Sequence, residues 1–396
     1  MSAPARPAAS SRVAWTDSAK GLAMVMVVAF HATLYLQSAG VDAVLGRAKA
    51  AFELFPMPAF FLIAGLFAGR QAQYQFGDLW RRRLLSLLYL YLLWSVVRTL
   101  FYAVVPGLNG ELGEIPATDP RALPLVLFWP SSSYWFLYAL FLFTLARWLV
   151  ARLPAWVQLT GSAAVSTAFT TGLLDTTNLG WNRVGALFFF FVLGAVAAPR
   201  IRDLVTRARW PHVLGAAAVF VAATAATVLG LRWVPLVVLA GQLAAVLLGL
   251  FLCRRAAGSR PMRWLATVGV HSLKIYLLHL FVIVPAVALV ELLRPDWPRA
   301  VDVAVQVALF VVALSGSFLL ARLTGRVRWL WQPPAFLRGG RRRPSPAAGE
   351  APLLPPPAAP LPQPPASPPV VPPAPRAPGG PPLRSGGDTT RPLPAP

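Results

Sequence analysis

The sequence predicts an all-α polytopic membrane protein of about ten transmembrane helices, with both termini cytoplasmic and a disordered, proline-rich C-terminal tail. Three observations carry that prediction. Hydrophobic residues make up 57% of the 396-residue chain and charged residues 13%, and the mean hydropathy is +0.60, outside the range of ordinary soluble domains. The apolar residues fall in blocks of roughly 17 to 23, the length a helix needs to cross about 30 Å of hydrocarbon. Arginines gather in every second connection between those blocks.

The blocks place spans near 20–38, 50–69, 84–105, 134–151, 156–173, 182–198, 211–230, 233–253, 270–292 and 301–323. The first follows the polar stretch Trp15 to Lys20. The second ends at Arg70, and the triplet Arg81, Arg82 and Arg83 precedes the third. Tyr134, Trp135 and Phe136 open the fourth and read from composition as an interfacial aromatic belt. Arg147 and Arg152 follow the fourth; Arg200, Arg202, Arg207 and Arg209 follow the sixth. The eighth ends at Cys253 before Arg254, Arg255, Arg260 and Arg263, and the ninth begins near His271. By the positive-inside rule, arginine in the even-numbered loops puts both ends of the chain in the cytoplasm.

The same arginines account for the formal net charge of +22. They are spread over short loops and a tail, so topology and anionic lipid explain them, and nucleic acid is not an expected partner. A single cysteine excludes an internal disulfide, and four scattered histidines lack metal-site spacing, so no metal is expected. The N-terminal stretch has no short apolar core with a cleavage site, and the first span is expected to remain as an anchor. From Gly339 onward the composition turns to proline, alanine and glycine, with 21 of the 40 prolines. Such a stretch buries too little apolar surface to order itself. Its PxxP runs, such as Pro362 to Pro365, are candidate protein-docking sites or passive tail. The domain plan is a short tail at 1–11, a membrane domain at 12–323, a juxtamembrane segment at 324–338 and the disordered tail at 339–396.

Four segments carry a family resemblance. They are RVAWTDSAKGLAMVMVVAFH from Arg12 to His31, PMPAFFLIAGLFAGR from Pro56 to Arg70 with GDLWRRRLLSLLYLYLLW from Gly77 to Trp94, SSYWFLYALFLF from Ser132 to Phe143, and GVHSLKIYLLHLFVI from Gly269 to Ile283. In order and spacing they resemble the acyltransferase-3 family of integral-membrane O-acyltransferases over about residues 12 to 323. The resemblance implies transfer of an acyl group, commonly acetyl or succinyl, from acyl-CoA to a hydroxyl of a carbohydrate, glycolipid or envelope polymer. It implies that His31 is essential, that acyl-CoA is a donor substrate with no tightly bound cofactor, and a cell-membrane location. Many members carry histidine and serine where this chain has Pro56 and Ala64, so roles borne by those side chains are absent or moved.

His31 stands as a candidate base without the family. Acylation of a hydroxyl needs a group to take its proton, and neutral imidazole suits that task near pH 7; ionisable groups inside a membrane are functional by default. The alternative is a histidine hydrogen-bonded between helices. Lys20 lies eleven positions earlier on the same face, about 16 Å away along the helix and out of contact. It reads as a cation for acyl-CoA phosphates or as a positive-inside anchor. Asp17 reads first as a helix cap and second as a partner for Lys20. His279, entering from the same side as His31, matches it in depth and either lines the same cavity or packs. Arg98, counted along its own span, falls in the outer half, where it meets an anionic acceptor or intermediate or snorkels outward. The triplet Arg81, Arg82 and Arg83 is a phosphate clamp or an orientation signal. The resemblance alone gives Trp135 a part in substrate binding.

The chain has no GxxxxGK[ST] loop, no GxSxG elbow and no HEXXH helix. A transporter or flippase of a lipid-linked saccharide or small metabolite is the rival reading, though matching broken helices in two halves are not seen. A scaffold working through the proline-rich tail is the third.

Overall fold

The computed structural model describes residues 14–41, 52, 54–105, 121–130, 133–293 and 298–337. The expected tails at 1–11 and 339–396, with the PxxP runs, lie outside the described residues. Among the described residues, twelve helices of ten or more residues carry the fold: α1 Ala14–Ser38, α2 Pro56–Leu66, α3 Phe76–Val104, α4 Trp135–Leu149, α5 Ala155–Thr170, α6 Leu179–Val196, α7 Ala198–Arg207, α8 Trp210–Val228, α9 Val237–Arg255, α10 Arg260–Val270, α11 Ser272–Leu293 and α12 Arg299–Leu323. Among the described residues there is no strand.

Seven of these helices, α1, α3, α6, α8, α9, α11 and α12, are long and apolar enough to cross a membrane. The expected second and fourth spans contain the shorter apolar helices α2 and α4, and the fifth contains α5, of 16 residues. The second departs from expectation because its helix stops at Leu66 and the chain tightens into a 3₁₀ turn at Gly69–Gln73. Two helices lie in segments expected to be loops. In α7, Ala198, Ile201 and Val205 form a buried stripe, Arg200 and Arg207 are exposed, and Arg202 donates to the Leu66 carbonyl at 2.8 Å. In α10, Leu265, Val268 and Gly269 face inward. Each is too short to span, and each buries one apolar face.

α1 is the central element, packed against α2, α9, α10, α11 and α12. Its crossing with α10 is made by backbone. A β-carbon on Gly269 would stand 1.8 Å from the Asp17 carbonyl oxygen, and one on Gly21 equally close to the Leu265 carbonyl oxygen. Small residues permit such approach, which lets van der Waals packing hold apolar helices together where lipid supplies no hydrophobic drive. The Ser18 hydroxyl donates to the Met262 carbonyl at 3.0 Å, and Gln306 Nε2 on α12 donates to Thr33 Oγ1 at 2.8 Å.

The connection between α3 and α4 is not helical near its end; Val126 and Pro130 are buried while Leu127, Phe128 and Trp129 are exposed, and its carbonyls are bonded to the bundle. Carbonyls of Val126, Leu127 and Phe128 accept from Tyr91, Tyr138 and Trp181 at 2.7, 2.6 and 2.9 Å, and the Ser133 carbonyl accepts from the Tyr276 hydroxyl. Aromatic donors thus satisfy carbonyls that irregular backbone leaves open and tie the connection to the helices.

Candidate active site at a histidine pair

His31 sits on α1 in an otherwise apolar stretch, half-buried, and His279 sits on α11, fully buried. Their rings meet edge to face with centroids 4.9 Å apart. The register follows from the glycine crossing: α10 is fixed on the first turns of α1, and α11 continues beside it, so α1 and α11 rise together to the two imidazoles.

Hydrogen bonds define the tautomer of each neutral ring. His31 Nδ1 lies 2.9 Å from the Val27 carbonyl oxygen, and His279 Nδ1 lies 2.8 Å from that of Tyr276 and 3.2 Å from that of Ile275. A carbonyl only accepts, so Nδ1 carries the hydrogen and Nε2 carries the basic lone pair. The Nε2 of His279 is buried with no hydrogen-bond partner among the described residues. Burial of such an atom is costly unless something polar visits it.

Arg98 is also buried, at 5% exposure. Counting along its own helix set it in the outer half, but contacts set it level with the histidines. Trp94 and Phe101 flank it on one stripe of α3, and both touch Phe281, at 5.8 and 4.8 Å between centroids, two residues beyond His279. Helices start at different heights, so position along one is not a common scale of depth. The Arg98 guanidinium lies 5.6 Å from the Tyr102 ring centre, and the Tyr102 hydroxyl lies 3.3 Å from that of Tyr35, one turn beyond His31. The two tyrosines were not foreseen; their i, i+4 spacing from Arg98 and His31 was the available signal.

Asp17 does not cap a helix. α1 begins at Ala14, six residues earlier than expected, so Asp17 lies inside the first turn and pairs with Lys20 at 2.7 Å. Lys20 is thus held near the α1 terminus, well away from His31. Arg81, Arg82 and Arg83 are exposed on a π-helical turn at Trp80–Leu84; Arg82 faces Asp78 at 3.6 Å and lies over the Tyr74 ring. The structure does not bring this triplet to the histidines.

Trp135 and its neighbours are no lipid-facing belt. Tyr134 and Trp135 are buried, the Tyr134 hydroxyl donates to the Leu277 carbonyl at 2.9 Å, and the Tyr276 hydroxyl donates back to Ser133. Phe136 packs on Phe61 and Tyr276, and Trp135 carries the Arg183 guanidinium 5.6 Å from its ring centre. Amphipathic aromatics suit a lipid interface and a protein interior equally, and here a reciprocal pair of hydrogen bonds ties the α4 start to α11, one turn from His279.

Among the described residues no three His, Cys, Asp or Glu side chains are placed to hold a metal ion. Outside the long helices, the Asp175 carboxylate is held below the usual carboxylate range, chiefly by the Asn182 side chain at 2.7 Å and then by the Thr177 amide at 2.8 Å.

A family model described as an acyltransferase domain, that of acyltransferase-3, matches residues 13–322. The chain belongs to the acyltransferase-3 family. With seven helices suited to crossing a bilayer, this family member is a multi-pass membrane protein, and its family activity is acyl transfer. The matched stretch holds the histidine pair and Arg98. Neither a curated protein nor a solved structure matches the chain.

Proposed function

We propose that this acyltransferase is an O-acyltransferase with His31 as general base. Nε2 of His31 takes the proton from an acceptor hydroxyl as that oxygen bonds to the thioester carbonyl carbon of acyl-CoA. The carbon–sulfur bond then breaks, CoA leaves as its thiol after regaining the proton, and the acceptor keeps the acyl group as an ester. The observation that carries this reading is the His31–His279 contact at 4.9 Å inside an apolar bundle. Of the two rings His31 is the more accessible, which suits the one that meets substrate, while His279 offers a second Nε2 to hold or relay the proton. Arg98, level with both, supplies positive charge for the oxyanion of the tetrahedral intermediate, where a buried charge acts strongly.

Donor and acceptor follow the family. The acyl group is acetyl or succinyl, and the acceptor is a hydroxyl of a carbohydrate, glycolipid or envelope polymer. Lys20, with Asp17 steadying it, and the triplet Arg81, Arg82 and Arg83 suit phosphates of acyl-CoA approaching from the cytoplasm, and Trp135 shapes the substrate space beside α11. Ten spans, cytoplasmic termini and the plasma membrane complete the proposal, supported by the arginine asymmetry and by a helix at each of the ten apolar blocks.

Replacing His31 with alanine tests the mechanism. Purified protein in detergent, given acyl-CoA and candidate glycans, should release CoA thiol in the wild type and lose that release in H31A by roughly 10²- to 10⁴-fold. Unchanged thiol release in folded H31A would sink the mechanism. The mass gained by the acceptor names the acyl group.

A further inference from the structure

Beyond the histidine pair, a cleft of about 260 Å³ opens where α10, α11 and α12 converge, lined by Thr267, His271, Lys274, Phe318, Arg322 and Gly325 among others. It sits at the end of the bundle that carries Asp17 and Lys20, because α10 is fixed to the first turns of α1. Three basic side chains point to it from three directions. His271 stands at the break between α10 and α11, Lys274 in the first turn of α11, and Arg322 in the last turn of α12.

Among the described residues no carboxylate pairs with any of the three. The Lys274 ammonium lies 4.9 Å from the Trp331 ring centre, held by the chain that folds back after α12, where Trp331 Nε1 donates to the Thr324 carbonyl at 2.9 Å. The His271 ring rests 5.6 Å from Phe318 with its Nδ1 bonded to the Thr267 carbonyl, leaving Nε2 as its remaining polar atom. Two cations, Lys274 and Arg322, beside a space of this size with no paired carboxylate among the described residues suit a bound anion, with His271 Nε2 as a further polar contact.

The surroundings decide which anion. Beside the cleft, Leu273 is 41% exposed, Leu319 58% and Leu323 65%. Apolar side chains facing outward next to a cationic cleft match a molecule with a charged head and hydrocarbon tails. We propose that the cleft holds the phosphate-bearing headgroup of an anionic membrane lipid, with its acyl chains lying along the outer faces of α11 and α12. The proposal stands apart from acyl transfer and does not rest on the role of His31.

Native mass spectrometry of the full chain in a neutral detergent tests it, with dioleoylphosphatidylglycerol, dioleoylphosphatidylcholine, coenzyme A and inorganic phosphate titrated in separate arms. The phosphatidylglycerol adduct should form in preference to the phosphatidylcholine adduct and persist in H31A. It should weaken about 30-fold in Lys274→Gln/Arg322→Gln, each cation contributing about one factor of five, and recover in Lys274→Arg. Arg322→Gln alone, at an exposed position, should weaken it about fivefold, which keeps the test valid if the double variant does not fold. Equal binding of the two lipids, or an adduct unaffected in the folded variants, overturns the proposal. Coenzyme A or phosphate bound in a variant-sensitive way while phosphatidylglycerol is not also overturns it.

Discussion

Replacing Gly269 with alanine tests whether the histidine pair is positioned by main-chain contact. The new β-carbon would stand 1.8 Å from the Asp17 carbonyl oxygen and 2.9 Å from the Gly21 nitrogen. Ordinary carbon–oxygen contact begins near 3.2 Å, so α10 and α1 must part by about 1.4 Å, and no side-chain rotation relieves a clash with backbone. Overpacking of this kind costs about 1 to 3 kcal/mol or more. The same separation spreads the His31 and His279 rings, because α11 follows α10 directly. Gly215 on α8 is the control: nothing lies within 4 Å of its added β-carbon, and alanine in an open helical position should stabilise by about 0.5 to 1 kcal/mol. Thermal unfolding in detergent should therefore fall by several degrees for G269A and hold or rise for G215A, with acyl transfer lost in the first and kept in the second. A G269A protein that melts and turns over like G215A would refute the backbone crossing as the device that sets the pair.

Three further outcomes follow from contacts on other elements. Tyr276→Phe leaves the Ser133 carbonyl without its donor and Tyr134→Phe does the same to Leu277, so each should destabilise by about 1 to 3 kcal/mol, measured by thermal unfolding. Lys20→Gln frees the Asp17 carboxylate and, if that cation meets the donor, should raise the KM for acyl-CoA about tenfold while leaving kcat near its wild-type value. Asp175 has a lowered pKa in the fold, so its stabilising bonds are complete above the unfolded carboxylate value of 3.8 and are lost as pH falls through the folded one. Hydrogen exchange at the Thr177 amide, normalised for intrinsic pH dependence, should therefore lose protection only below pH 3.8, with Asp175→Asn less protected at neutral pH.

The helical class and the near-equal depth of His31 and His279 were legible because both rest on counting along apolar helices that enter from one side. Other features depend on which neighbour a residue meets. Tyr134, Trp135 and Phe136 carry the composition of a lipid-facing belt, and only the reciprocal bonds with Leu277 and Tyr276 reveal an internal joint. Asp17 read as a cap because the start of α1 was set by hydropathy, which turns up only after Lys20, whereas the helix itself begins at Ala14. The level of Arg98 follows from Trp94 and Phe101 gripping Phe281, a match between helices that no single span encodes. α7 and α10 went unseen because a loop rich in arginine hides a short buried stripe.

The 15-residue α4 measures about 22 Å, some 8 Å less than a hydrocarbon core. Tyr134, at its start, is bonded to Leu277, and the chain before it is held through the Val126, Leu127 and Phe128 carbonyls by aromatic donors. The helix beside the histidine pair is thus anchored at its start by side-chain bonds to main-chain carbonyls, which hold its place where helix length does not.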